Sequence, residues 1–233
     1  MQKYTFFLSV VAVLLVSCGP KKPSVAELKL EKHRKDSLAL IQYERTIAYC
    51  DSLVLVLQED VNALLPQFKY EKQDRYEDHG RYVHKLLRTD LNTERCYLQV
   101  YVTDDFHLIL KSHYKGTTPL HIQSIELQVD SLTQLYPGDT HEFEAEGYYE
   151  ITTLNEANAI PLLTLIDANS ASRERIRLVG TKSSYRFYLS DRDKQALIET
   201  YRLAVLMKDI HQLEQQSRQA SDQVLKYQKR LEK

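Results

Sequence analysis

The amino-acid sequence predicts an α+β protein in which two long terminal helices flank a mainly antiparallel β domain. Three observations predict this class: an apolar stripe at helical spacing near each end of the chain, two-residue alternation in its middle, and turn residues between the alternating runs. The chain has 233 residues, of which 43% are hydrophobic and 27% are charged, as is ordinary for a globular protein. We expect this length to contain one or two domains.

The first long helix is predicted over residues 24–66. Ser24 and Glu27 match a capping box, in which each side chain accepts a hydrogen bond from the other residue's backbone N–H. Neither Gly nor Pro follows until Pro66, and the residue before a proline disfavours helical backbone. One helix face carries an apolar stripe made of Leu40, Tyr43, Ile47, Cys50, Val54, Leu57, Val61 and Leu64.

The second long helix is predicted over residues 190–233, with Ser190 as its cap and acidic residues in its first turn. Its apolar seam has coiled-coil spacing and consists of Leu203, Leu206, Ile210, Leu213, Ser217, Ala220, Val224, Tyr227 and Leu231. The polar half of the first helix is N-terminal and that of the second is C-terminal. An antiparallel pair therefore matches apolar with apolar, whereas the alternative packs both helices along the sheet with frayed polar ends.

A β-rich domain is predicted over residues 67–189. Apolar and polar residues alternate over 96–103, Asp104 and Asp105 follow as a two-residue turn, and 106–114 completes a hairpin. Further strands are predicted at 82–87, 121–129, 140–145, 148–154, 175–179 and 185–189, with a short helix at 159–169. Short turns between successive strands favour an antiparallel sheet.

Residues 1–17 are predicted to be a signal peptide. A basic start is followed by an apolar run at 4–16, which is shorter than the about 20 residues that span a bilayer. The run ends in the letters LVSCG at residues 15–19, which resemble the lipobox of bacterial lipoproteins. The resemblance implies cleavage before Cys18, a diacylglycerol thioether on its sulfur and an acylated amino terminus, with acyl chains such as palmitate.

Residues 18–23 read as a tether between this lipid and the first helix. Gly19 follows the cysteine where inner-membrane lipoproteins of well-studied Gram-negative bacteria have Asp, so the analogy implies the outer membrane. We favour its periplasmic face. No other apolar run approaches about 18 residues, and we expect the N-terminal lipid to be the only membrane attachment. Taken whole, the chain resembles envelope lipoproteins of Bacteroidota-type bacteria, a resemblance that implies no activity.

Two cysteines remain after lipidation. Cys50 lies in the apolar stripe of the first helix and Cys96 on the more apolar face of its strand, so we expect buried free thiols. The alternative is a disulfide between Cys50 and Cys96, because exported proteins fold in an oxidising compartment.

The residues that could support catalysis are explained better by structural roles, and we assign no catalytic residue and no cofactor. Ser112 and Lys115 match Ser-x-x-Lys by letter, but on a predicted strand rather than at a helix start. Carboxylates that could pair as in glycosidases are Glu142, Glu144, Glu146 and Glu150. Three of them alternate along one strand, which is typical of a solvated face.

We predict no metal site and no nucleic-acid partner. The eight His residues follow no metal-ligand spacing, although His113, His121 and His141 could assemble a surface site. A net charge of −1 gives no electrostatic drive toward nucleic acid.

The least ordinary feature of the composition is the 16 Tyr residues. Tyr97, Tyr101, Tyr148 and Tyr149 lie in predicted strands, where tyrosine serves both packing and binding. The sequence therefore leaves two roles open for them: half-buried packing, or a face that binds a partner or glycan.

The function we expect is that of a lipid-anchored, non-enzymatic adaptor or structural protein with a protein partner in the cell envelope. The alternatives are a module that binds a ligand, glycan or polypeptide through the Tyr-rich face, and a hydrolase with an unfamiliar site. The helical seam also allows self-association, but Ser217 and Ala220 weaken it, so a homo-oligomer is not favoured.

Overall fold

The computed structural model describes residues 24–72, 79–87, 96–145 and 147–232. The predicted signal peptide at 1–17, the lipidation residue Cys18 and the tether at 18–23 lie outside the described residues.

Three α-helices are present in this part of the chain: α1 (Val25–Leu64), α2 (Glu156–Ala168) and α3 (Asp191–Leu231). The capping box of α1 forms as predicted, because the Ser24 N–H donates to Glu27 Oε2 over 2.6 Å and the Glu27 N–H donates to Ser24 Oγ over 3.2 Å. At the start of α3, the Asp193 N–H donates to Ser190 Oγ over 3.2 Å. A single 3₁₀ turn containing Pro66 follows α1.

Ten strands lie between α1 and α3 in the described residues. They are β1 (Phe68–Glu71), β2 (Arg81–His84), β3 (Tyr97–Thr103), β4 (Leu108–Gly116), β5 (Ile122–Val129), β6 (Leu132–Pro137), β7 (Asp139–Ala145), β8 (Gly147–Leu154), β9 (Arg175–Gly180) and β10 (Ser184–Tyr188). The sequence predicted neither β1 nor β6. In β1 only Phe68 is buried, and β6 is exposed at all positions but Tyr136, so neither shows the alternation by which a half-buried strand is recognised.

The strands form two sheets in which every neighbouring pair is antiparallel. One sheet has the order β1-β2-β3-β4-β8-β7, and the other has the order β10-β9-β5-β6. Short connections join the pairs β3–β4, β5–β6, β7–β8 and β9–β10, and such connections cannot support a parallel crossover. With the long helices at either end, the α+β class predicted from sequence is confirmed.

One core joins both sheets to the helices α2 and α3. Leu98, Val100 and Val102 alternate along β3 and are buried beside apolar residues of β5 and β9. The short helix contributes a stripe at positions i, i+3, i+4 and i+7, formed by Ala159, Leu162, Leu163 and Ile166. Large apolar side chains of this core are fully buried, so α2 is held by packing.

The chain divides into two compact units. Residues 24–50 and 216–232 form the helical unit, and residues 51–215 form the β-domain unit, so each long helix contributes to both. Within the helical unit, the rings of Tyr43 and Tyr227 stack with centroids 5.8 Å apart and Cys50 Sγ lies 3.9 Å from Gln216 Oε1. Residue numbers therefore rise along α1 as they fall along α3, which is the predicted antiparallel pairing. In the β-domain unit, Val61 of α1 packs with Leu203 of α3.

The β3–β4 turn is longer than the two residues predicted. Strand β3 ends at Thr103 and β4 begins at Leu108, so four residues form the connection. The Thr103 N–H donates to the His107 carbonyl over 2.9 Å, and Phe106 takes a left-handed backbone with φ of 70°. The prediction was wrong because Phe106 enters this uncommon region, which no turn signal in the sequence marks. Its ring lies 4.8 Å from that of His211.

Candidate functional site

The structure brings together three of the four tyrosines singled out from sequence. Tyr97 and Tyr101 point to the same face of β3, and the register of β4 and β8 places Tyr149 on that face as well. Tyr148 points to the opposite face, because neighbouring residues of a strand alternate. We call the shared surface the tyrosine face; it comprises Tyr97, Tyr101, His113, Lys115 and Tyr149.

The rings of Tyr97 and Tyr101 are buried in the sheet rather than exposed to solvent. Tyr97 is 7% exposed and stacks on His113 with ring centroids 4.6 Å apart, whereas Tyr101 is 6% exposed. The Arg81 guanidinium lies 5.0 Å from the Tyr101 ring and the Lys111 ammonium 5.4 Å from it. These are cation–π distances within the sheet, so Tyr97 and Tyr101 serve the packing role and not the binding role.

His113 is the buried polar centre of this face. Its Nε2 lies 3.0 Å from Gln99 Oε1, and since that oxygen only accepts, Nε2 carries the proton. Burial, reinforced by the charge of Lys111, lowers the pKa of His113 to about 4. The ring is therefore neutral at physiological pH, with a lone pair on Nδ1, for which no hydrogen-bond partner is found.

An exposed aromatic pair remains at the edge of the tyrosine face. Phe143 of the edge strand β7 is 42% exposed and stacks on Tyr149, with ring centroids 5.2 Å apart and planes within 4°. The Lys115 ammonium lies 5.2 Å from the Tyr149 ring. A flat aromatic surface beside a cation can stack on a sugar ring or a planar side chain.

Cys50 and Cys96 are free, buried thiols in the structure. Cys50 contacts Gln216, and Cys96 donates a weak hydrogen bond to the Lys115 carbonyl over 3.9 Å. Burial raises the pKa of the Cys96 thiol. Both thiols are buried and free in the structure, as in the buried-thiol alternative, and the disulfide between Cys50 and Cys96 stays a prediction.

Glu150 is a buried clamp and not part of a catalytic pair. Its Oε1 accepts hydrogen bonds from the N–H groups of Leu120 and His121, and its Oε2 accepts one from Ile122 over 2.8 Å. Glu150 is not one of the three glutamates that alternate along one strand, and it is buried in β8. Glu142 is exposed and pairs with His121, while the side chains of Glu144 and Glu146 lie outside the described residues.

The Ser-x-x-Lys letters carry no paired chemistry. Ser112 and Lys115 are three residues apart on β4, so their side chains leave opposite faces of the sheet. Ser112 is fully buried on the core side, whereas Lys115 reaches the tyrosine face. A general base could not be supplied to the Ser112 hydroxyl by this lysine.

One cluster of metal-ligating groups was missed from the sequence. His79, Asp104 and Asp105 offer ligand atoms that all lie within 4.8 Å of one another, and all three side chains are exposed. Because Arg81 pairs with Thr103, the residues before β2 lie beside those after β3. The sequence signal was two adjacent aspartates near a histidine at 107, but His79 is distant in sequence. His113, His121 and His141 do not form such a group in the described part of the chain.

The helical unit has apolar residues on the solvent side of α1. Leu40, Tyr43 and Ile47 are half-buried, whereas Leu38 is 57% exposed and Ile41 is 46% exposed. At 100° per residue, Leu38 and Ile41 lie about 60° apart and on the side away from the half-buried stripe. The helix is therefore apolar on two sides.

Comparison with protein-family models, curated proteins and solved structures finds no significant match for this chain. In the residues that the structure describes, no helix combines the length and the apolar character needed to cross a bilayer.

Proposed function

We propose that this chain is a lipid-anchored protein of the bacterial cell envelope that acts as a non-enzymatic adaptor. In this proposal Cys18 carries the lipid on the periplasmic face of the outer membrane, and the helices contact a protein partner. The lipobox letters at residues 15–19 support the anchor, and the surface of α1 supports the partner.

The observation that carries the adaptor proposal is the exposed apolar side of α1 in the helical unit. Leu30, Leu38 and Ile41 are 72%, 57% and 46% exposed, and each leaves an apolar surface in water. Covering such a side chain contributes about 1.5 to 3 kcal/mol when burial is complete. An amphipathic helix binds a groove or a second helix through apolar side chains at helical spacing. We therefore expect the partner to present an apolar helical surface.

The residues that could act in catalysis support a non-enzymatic function, because their polar groups are hydrogen-bonded or buried within the fold. The Glu150 carboxylate is used by three backbone N–H groups, and the buried His84 lies 2.8 Å from Glu199. Burial of Cys96 raises its thiol pKa, which disfavours the nucleophilic thiolate.

Site-specific photocrosslinking in intact cells tests the adaptor proposal. A benzophenone amino acid placed at Leu38 or at Ile41 should give an adduct with one and the same envelope protein. Lys32 is the control, since it is exposed on the same helix but lies about 120° from Leu38 and about 180° from Ile41 around the helix axis. Equal adducts at Lys32, or none at Leu38 and Ile41, would contradict the proposal.

A second candidate function is binding of a glycan or polypeptide by the Phe143–Tyr149 pair, which the exposed stacked geometry favours. The test is binding of the purified chain to a panel of glycans and unfolded polypeptides. Phe143→Ala should abolish a true signal. Leu135→Ala, which alters an exposed residue of another edge strand, should leave it unchanged. A signal that survives Phe143→Ala would remove this candidate.

A further inference from the structure

We propose that His79, Asp104 and Asp105, with His107 beside them, form a binding site for one zinc ion at the β3–β4 turn. This site lies in the β-domain unit and is independent of the adaptor surface on α1. The proposal rests on the spacing of the ligand atoms, on the contacts that orient Asp104, and on the choice of donor groups.

The distances between donor atoms suit a small tetrahedral ion. His79 Nδ1 lies 3.3 Å from Asp104 Oδ1, and His79 Nε2 lies 3.5 Å from Asp105 Oδ2. His107 is not one of these three residues, but its Nε2 lies 3.5 Å from the same Asp105 oxygen. Zinc bonds of about 2.0 to 2.1 Å imply about 3.3 Å between ligand atoms at tetrahedral angles. One imidazole gives an ion a single nitrogen, so only one of the two His79 contacts can be a separation between ligand atoms. The other carboxylate has to turn toward that same nitrogen, starting from within the 4.8 Å that contains one donor atom of each residue.

Asp104 is oriented by contacts on its other oxygen. Its Oδ2 accepts hydrogen bonds from the Gly80 N–H over 3.1 Å and from the Tyr70 hydroxyl over 3.3 Å. The first oxygen is thereby turned toward His79. In metal sites, hydrogen bonds to the remaining polar atom of a ligating side chain fix its orientation toward the ion.

Gly80 is the residue that permits this approach. A Cβ at this position would lie 2.0 Å from the Tyr70 hydroxyl oxygen and 3.1 Å from Asp104 Oδ2. Any larger residue would displace the tyrosine that orients the carboxylate. The Asp104 N–H also donates to the Gly80 carbonyl over 2.9 Å, which ties the two segments together.

The donor set selects the ion. Imidazole with carboxylate suits zinc and related transition metals, whereas magnesium and calcium prefer oxygen ligands alone. The ion would cross-link the residues before β2 to the β3–β4 turn. Because these side chains are exposed, a zinc ion would reach them directly from solvent, and the core of the protein would not have to open.

The test is a zinc titration of the full chain in detergent, in competition with a chromophoric chelator. We expect one zinc per chain. His79→Ala and Asp105→Asn should each weaken zinc binding by more than about 100-fold. Loss of a residue that only orients a metal ligand already costs about 10- to 100-fold in affinity, and these two residues would bind the ion directly. His141→Ala is the matched control, an exposed histidine on β7, and should bind zinc as the wild type does.

Two further measurements make the outcome decisive. Circular dichroism melts of the metal-free variants should match those of the metal-free wild type, and zinc should raise the melting temperature only where it binds. Cobalt in place of zinc should give a spectrum without a thiolate charge-transfer band. Absence of stoichiometric zinc, retention of zinc by the His79→Ala Asp105→Asn double variant, or a thiolate band would overturn the proposal.

Discussion

Replacement of Glu150 by Gln probes a buried carboxylate that accepts three backbone hydrogen bonds in the β domain. The carboxylate is 1% exposed and accepts the N–H groups of Leu120, His121 and Ile122, which form the crossing from β4 to β5. This segment leaves one sheet and enters the other, so sheet ladders cannot satisfy its N–H groups.

The magnitude follows from the bonds that a carboxamide can keep. Gln retains one oxygen, so at best it accepts the two N–H groups now on Oε1 and turns its own NH₂ toward the Ile122 N–H. One charge-assisted hydrogen bond is lost and one buried N–H is left without an acceptor. A hydrogen bond to a charged group contributes about 1.5 to 3 kcal/mol. We expect Glu150→Gln to lower the free energy of unfolding by about 2 to 3 kcal/mol.

Urea denaturation of the unlipidated chain, which begins at Gly19, measures this change. Near-ultraviolet circular dichroism should follow the tyrosines of the β domain. Glu142→Gln is the control, since that carboxylate is exposed, and it should change the free energy of unfolding by less than about 0.5 kcal/mol. If Glu150→Gln unfolds within about 0.5 kcal/mol of the wild type, the clamp does not hold the crossing and the reasoning is refuted.

Three other predictions concern buried or terminal groups. Because the folded state lowers the pKa of His113 from 6.5 to about 4, the unfolded chain takes up a proton first as the pH falls, and stability present above pH 6.5 declines toward pH 4. His113→Gln should reduce that decline by about 3 kcal/mol, and parallel stability curves for the two chains would contradict this. Lys194→Met should lower the free energy of unfolding in urea by about 3 to 5 kcal/mol, because it leaves the fully buried Glu174 without the ammonium group that lies 3.2 Å away. Lys208→Met is the control at a more exposed ion pair and should lower it by less than about 1 kcal/mol. Cys18→Ala should abolish labelling by an alkyne fatty acid and release the chain from membranes; undiminished labelling would place the lipid elsewhere.

The long helices were predictable because their signals are local. A capping box needs only Ser24 and Glu27, and an apolar stripe needs only the spacing of residues along one segment. Their antiparallel pairing also followed from matching polar with polar halves, as the contact of Tyr43 with Tyr227 bears out within the helical unit. Strands β1 and β6 were missed because neither alternates between buried and exposed residues, whereas the other two edge strands, β7 and β10, were predicted.

The tyrosine face shows which properties could not be predicted from neighbouring residues in the sequence. Alternation along β3 correctly placed Tyr97 and Tyr101 on one side of the sheet, and the same rule separates Tyr148 from Tyr149. Burial of Tyr97 and Tyr101 depends on what lies over and beside them, including the stacked His113. Exposure, and with it the choice between packing and binding, is a property of the assembled sheet.

The sequence by itself determined the fold class, the helix limits to within a few residues, and the strand parity, because each depends on neighbours a few positions away. The tertiary structure decided the rest. Strand register set His79 beside Asp104 and Asp105, and the crossing between sheets gave the Glu150 carboxylate its backbone N–H partners. Long-range pairing brings together residues whose separation along the chain carries no signal, so their chemistry appears only once the backbone is folded.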